Sequence, residues 1–93
     1  MIEFEWDEAK ADDNLRNHGV SFEFAATAFR DPFGIEWIDD REAYGEVRTI
    51  LLGMADGTVL VVVYTERESR IRLISARRAT RYEQNRYYRE NGR

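Results

Sequence analysis

Ile2 to Trp6 alternates apolar and acidic side chains, the period-two pattern of a half-buried strand. Asp7 then stands where an N-cap belongs, for a helix running to about Asn17, with Gly19 after His18 as its stop. Ser21 can cap a second helix from Phe22 to about Phe29, which Asp31-Pro32 ends. Strand patterns follow at Phe33 to Ile38, Val47 to Met54 and Thr58 to Glu66, the last apolar on both faces and so a central strand. Asp39 to Glu46, with Tyr44-Gly45, reads as a loop, and Ala55-Asp56-Gly57 as a tight hairpin turn. A fifth strand is predicted from Arg70 to Ala76, reached through Arg67-Glu68-Ser69, and a last helix from about Arg78 to Arg89. Strand, two helices, four strands and a helix predict an α+β domain with a mostly antiparallel sheet. Residues 1–93 form one such domain, large enough to build a core without staples. Trp6, Phe22, Phe29, Phe33 and Trp37 lie at element edges and are assigned to that core.

Charge changes this picture because it is unevenly placed. The formal total is −4, but Arg67 to Arg93 holds nine arginines, no lysine and three acids, a local charge of +6. Residues 1–66 carry five basic and fifteen acidic groups, a local charge of −10. Guanidinium matches phosphate geometry better than ammonium does, so the arginine-rich end points to a polyanion. The acidic half would confine such a ligand to the arginine face, or offer a docking surface for a basic protein segment through Asp12, Asp13, Asp39 and Asp40. There is no Cys and one His, which leaves no ligand set for a zinc centre, and no cofactor is expected. The N-terminus lacks a basic, apolar leader and no apolar run is long enough to cross a bilayer, so a cytoplasmic protein is expected.

Candidate chemistry follows from the strand and helix periods. Alternation puts Arg70 and Arg72 on one face of the fifth strand, with Ile71 and Leu73 on the other. Arg77 and Arg78 fall where strand gives way to helix, and four guanidiniums near one sheet edge could hold successive phosphates or a pentacoordinate phosphorus. The plainer reading is a solvated face paired with the acids of the N-terminal half. Lys10, Asn14 and His18 share an arc of ~80° on the first helix. There Lys10 could contact phosphate and His18 act as a general base, or His18 could simply cap the helix carbonyls. Glu66 ends the central strand beside the arginines, as an orienting carboxylate or a proton acceptor. Tyr82, Tyr87 and Tyr88 alternate with Arg81, Arg86 and Arg89, a pattern that suits base stacking and helix packing equally.

The blocks Glu5-Trp6-Asp7-Glu8-Ala9-Lys10, Asn14 to Phe22 (Asn-Leu-Arg-Asn-His-Gly-Val-Ser-Phe) and Ala25-Ala26 resemble the N-terminal signature of the BrnT toxins. Asp31-Pro32, the Asp40-Arg41…Tyr44-Gly45-Glu46 loop, Val62 to Arg67 and Arg70 to Thr80 fit in the same order and spacing. The resemblance implies a RelE-like fold and a type II toxin that cleaves RNA and blocks translation. It also implies a BrnA-type ribbon-helix-helix antitoxin as partner, in a heterotetramer that meets DNA only through the antitoxin. Lys10, His18, Glu66, Arg72, Ser75, Arg77 and Arg78 stand at motif positions. Asn17 replaces a frequent Lys, and the last helix is less basic than is usual in the family. From these residues the expected enzyme is a metal-independent endoribonuclease. Arg72, Arg77, Glu66, His18 and Lys10 are its catalytic candidates, and Arg70, Ser75, Arg78 and Arg81 its RNA contacts. The rival is a non-catalytic adaptor or co-repressor subunit.

Overall fold

Local chemistry sets the element ends in the computed structural model, which describes residues 2–41, 43 and 45–92. Strand β1 spans Glu3–Glu5. Helix α1 spans Glu8–His18; the Asp7 carboxylate accepts the Lys10 N–H at 3.0 Å, and Gly19 closes the helix with φ at +69°. Helix α2 spans Phe22–Ala26, capped by the Ser21 hydroxyl, and tightens into a 3-10 turn at Thr27–Arg30. Strands β2 (Ile35–Asp39), β3 (Arg48–Ala55), β4 (Thr58–Arg67) and β5 (Arg70–Arg78) follow, then helix α3 (Arg81–Glu90). The β3–β4 connection is the two-residue turn Asp56-Gly57, both with positive φ, as right-twisted hairpins require. Glu68 and Ser69 join β4 to β5 in the same way.

The predicted elements all form, most with ends within one or two residues of those expected, and β2 begins at Ile35 rather than Phe33. Asp39 belongs to β2 rather than to the loop, while Glu42 and Tyr44 of that loop lie outside the described residues. The second helix is α only to Ala26. Arg77 and Arg78 are strand, paired with Val61 and Leu60, and α3 begins at Arg81. Thr80 explains this late start. Its hydroxyl accepts the Glu83 N–H while the Glu83 carboxylate accepts the Thr80 N–H, a reciprocal cap that fixes the first turn.

One sheet carries the strands in the order β1-β5-β4-β3-β2; β1 runs parallel to β5 and the other pairs are antiparallel. Phe22, Ala25, Ala28, Leu51, Leu60, Val62, Tyr64 and Leu73 pack together where α1, α2 and the 3-10 turn cover one face. Ile50, Leu52, Val59 and Val61 pack with Ala79 and Tyr87 on the other, under α3. Phe22 is fully buried, Trp6 and Phe29 pack against the first cluster, and Trp37 against the second. Phe33 departs from the expectation and is exposed, because the Asp31 carboxylate holds its backbone N–H in a turn outside the sheet.

Two side chains complete sheet edges that neighbouring strands leave open. Strand β1 covers β5 only from Arg70 to Arg72. Beyond it, the buried Asn14 carboxamide takes both backbone groups of Ala76: Nδ2 donates to its carbonyl at 2.8 Å and Oδ1 accepts its N–H at 3.1 Å. The same Nδ2 donates to the Val20 carbonyl at 2.9 Å. On the far side, the Asp31 carboxylate accepts the Met54 N–H at 2.8 Å and the Tyr87 hydroxyl, tying β3 to α3. Burial pushes the Asp31 carboxyl up, but the donors from Tyr87, Met54 and Phe33 outweigh it and hold it below its usual value.

Asn14→Ala leaves three buried backbone groups without partners. It should cost about 3 kcal/mol in urea unfolding, and a loss under about 1 kcal/mol would contradict the clamp.

Candidate functional site

Strict alternation along β5 would separate Arg77 from Arg70 and Arg72. The structure instead breaks register between Val63 and Tyr64, which pair with Ser75 and Leu73, so Ile74 is the extra residue of a β-bulge. The bulge reverses the parity of the strand. Ile71, Leu73 and Ala76 face the α1–α2 side, and Arg70, Arg72, Ser75 and Arg77 share the α3 side. Arg78, opposite the core residue Leu60, points back to the α1 side.

On the α3 side a cleft of about 330 Å³ opens between the β2 end, the sheet and the start of α3. Ile50, Val61 and Val63 form its floor, with Trp37, Ser75, Arg77, Glu83 and the segment Asp39–Arg41 around it. Arg77 is held as a fork: Nη1 and Nη2 donate to the two Glu83 oxygens at 2.8 and 2.9 Å. Asp39, almost wholly buried, accepts from Arg41 Nε at 2.7 Å and Nη2 at 2.8 Å. Hydrogen bonding to Glu83 raises the Arg77 pKa against burial and the nearby positive charge of Arg41. The cleft therefore presents two guanidiniums near each other, each fixed by its own carboxylate, above an apolar floor. The Arg77 donors that Glu83 does not take suit the oxygens of a phosphate, beside the positive charge of Arg41. The Arg86 guanidinium lies 4.3 Å from the centre of the Trp37 ring, which helps seat α3 beside the cleft.

The sequence candidates do not gather at one point. Ser75 and Arg77 line the cleft. Arg72 and Arg70 share its face but are engaged by β1: Arg72 Nη1 lies 3.0 Å from Glu5 and Arg70 Nε 3.3 Å from Glu3. This is the charge pairing of the plainer reading. Glu66 pairs with Ile71, on the other face from Arg72, and lines a shallow depression with Ile38, Val47 and Arg67. Arg77 and Arg72 are instead oriented by Glu83 and Glu5. His18 ends α1 with its carbonyl accepting from Arg78 Nη1 at 3.4 Å, on the face opposite the cleft. Lys10 is exposed in the first turn of the same helix, and Arg81 is exposed at the start of α3. Among the described residues no three His, Cys, Asp or Glu side chains converge on a metal-binding position.

Trp37, Asp39, Arg41 and Glu83 were missed by pattern reasoning. Only Glu83 carried a signal, the Thr80-x-x-Glu83 spacing of a capping box.

A model of the family described as "Ribonuclease toxin, BrnT, of type II toxin-antitoxin system" matches residues 6–83. The chain belongs to the BrnT family. The matched span holds every residue of the cleft and the Asn14 clamp, and leaves most of α3 outside it. No curated protein matches this BrnT chain in sequence. A type II system implies an antitoxin partner, and no helix among the described residues is long and apolar enough to cross a membrane.

Glu83 both caps α3 and holds Arg77, and its carboxyl lies at about 2, lowered first by the Arg77 hydrogen bonds and against the push of burial. A folded pKa below the unfolded value of 4.5 means that the stabilisation is complete above that pH and is lost as pH falls toward about 2. Glu83→Gln should flatten the urea-stability profile over this window, leaving the share due to Asp31, and lower stability at neutral pH by about 2 kcal/mol. An unchanged profile would separate Glu83 from Arg77.

Proposed function

We propose that this BrnT toxin is a RelE-like cytoplasmic endoribonuclease that blocks translation by cutting RNA at the Arg77 cleft. One observation carries the reading: Arg77 is locked by Glu83 over an apolar floor, facing Arg41, with Ser75 beside it. Fixed donors in a partly dehydrated recess stabilise charge that grows in a transition state without reorganising at that moment. The order of strand, paired helices, antiparallel strands and final helix supports the RelE-like assignment.

The chemistry needs no metal. The ribose 2′-hydroxyl gives its proton to water and attacks the neighbouring phosphorus, the bond to the 5′-oxygen breaks and that oxygen takes a proton from water, leaving a 2′,3′-cyclic phosphate and a 5′-hydroxyl. Arg77 stabilises the phosphorane, the positive charge of Arg41 adds to the field of the cleft, and the Ser75 hydroxyl contacts a phosphate oxygen. Arg72 and Arg70 extend the same face and bind backbone phosphate by exchanging it for Glu5 and Glu3. His18, Lys10 and Glu66 stand off the cleft, so its rate derives from positioning and charge rather than from an imidazole base. The antitoxin is of the BrnA ribbon-helix-helix type, and the pair forms a heterotetramer that contacts DNA only through the antitoxin.

The test is cleavage of a defined single-stranded RNA in EDTA by protein freed of antitoxin. Wild type should leave cyclic-phosphate ends, Arg77→Ala should lose about a hundredfold or more in rate while keeping its fold, and a 2′-deoxy residue at the cut site should stop the reaction. Equal cleavage of all-DNA substrate, or an undiminished Arg77→Ala, would sink the assignment.

A further inference from the structure

Eight of the described arginines, Arg77 among them, have a carboxylate within 4 Å. Arg30, Arg78, Arg81, Arg89 and Lys10 have no carboxylate partner among the described residues. A paired arginine offers a phosphate only the donors its carboxylate leaves, whereas an unpaired one offers nearly all of them. Two of the unpaired cations stand at the end of β5, next in the chain to the cleft arginine. Arg78 follows Arg77 directly and points to the opposite face of the sheet, where its guanidinium donates to the neutral His18 carbonyl and to no other group of the described residues. A guanidinium has five N–H donors, so most of its capacity is unused. Gly19 brings backbone rather than side chain against it, since a β-carbon there would sit 3.5 Å from Arg78 Nη1. Arg81 is exposed three residues on, its Cα at most about 10 Å from that of Arg78.

Resting on the ribonuclease reading, we propose that the corner made by Arg78, Arg81 and His18 is a second phosphate-binding site for the strand that enters the cleft, and that the substrate is single-stranded where it rounds this corner. Consecutive side chains on a strand point to opposite faces, so a ligand touching Arg77 and Arg78 together must fold over the end of the sheet. A flexible single strand makes that turn within a few nucleotides. A duplex is too stiff to do so without a large bending cost. The sheet end thus selects unpaired RNA without reading a base. His18 is exposed where its carbonyl meets Arg78, so its ring can serve there as a surface for a base or a ribose, a place in binding rather than in proton transfer.

The probe is a fluorescent 2′-O-methyl strand of about ten nucleotides, which cannot undergo 2′-hydroxyl attack, alone and annealed to its complement. Anisotropy would be followed over a salt series for wild type, Arg81→Gln, Arg78→Gln/Arg81→Gln and Arg30→Gln. The double variant should bind the single strand about tenfold more weakly at low salt, and its log–log salt slope should fall by about 1.4. Arg81→Gln, which breaks no ion pair among the described residues, should show part of that loss. Arg30→Gln, which removes the same charge from the 3-10 turn, should show little, and the duplex should bind worse than the single strand. Wild-type binding by both corner variants, an equal loss in Arg30→Gln, or equally tight duplex binding would each overturn the corner site. Cleavage of a dinucleotide by the same preparations separates the two ideas, since it fills the cleft without reaching the corner. Intact dinucleotide cleavage with unaltered strand binding removes the corner alone. Absent cleavage of any RNA removes the ribonuclease reading, even where the binding pattern upholds the corner.

Discussion

The Asn14 carboxamide determines where the arginine strand ends up. A sheet edge needs partners for its N–H and C=O groups, and β1, at three residues, runs out before β5 does. A longer β1 would have satisfied Ala76 with backbone. A side chain from α1 does so instead, and by holding Val20 as well it joins three segments at one buried point. Helix α1 is thereby locked across the end of β5, which brings its last carbonyl to Arg78 and leaves the α3 face of the strand open. Asp31 acts similarly at the other side of the sheet, so α3 is anchored through Tyr87. The two helices flanking the arginines are thus positioned by polar side chains that substitute for strands.

Given that frame, the bulge at Ile74 makes the site. Without the extra residue, Arg77 would turn into the apolar cluster beside Leu73, and Arg78 would take the cleft. With it, four polar side chains fall on one face, and the last two residues of β5 serve opposite faces. Bulges commonly re-aim a side chain beside a functional site, and this one determines which guanidinium meets Glu83. Glu83 is itself available only because Thr80 starts α3 three residues later than the helical spacing of the tyrosines and arginines suggests.

Much of this frame was legible in the chain. Asp7, Gly19 and Ser21 marked real helix ends, Asp56-Gly57 marked a real turn, and the uninterrupted apolar run of β4 marked a strand buried on both faces. These are local properties, carried by a residue and its near neighbours. The candidate site was legible only in part, because it depends on register. Arg70 and Arg72 were read onto one face correctly, since no bulge lies between them. Arg77 and Arg78 were read as a pair, whereas one inserted residue and a late helix start divide them between faces. Glu66 adjoins the arginines in sequence yet faces away from Arg72. Arg41 lies far from Arg77 along the chain and near it across the cleft, a proximity made by β2 closing the sheet.

The charge asymmetry of the chain also reads differently in space. Fifteen acids against five bases in residues 1–66, and nine arginines against three acids beyond, suggest an acidic body with a basic tail. Folding interleaves the two. The parallel β1–β5 pairing sets Glu3 beside Arg70 and Glu5 beside Arg72, and Glu46 reaches both Arg48 and Arg67. Asp39, counted among surface acids for a protein partner, is buried against Arg41, and Asp13 is engaged by Arg16. A local charge of +6 therefore overstates what a polyanion meets, because most of those guanidiniums already hold a carboxylate. At Arg70 and Arg72 a phosphate has to displace Glu3 and Glu5. At Arg77 it meets a guanidinium that Glu83 orients with donors to spare, and at Arg78 and Arg81 no carboxylate of the described residues competes. The parallel first strand and the bulge together decide which arginines of β5 hold a carboxylate and on which face of the sheet each one stands.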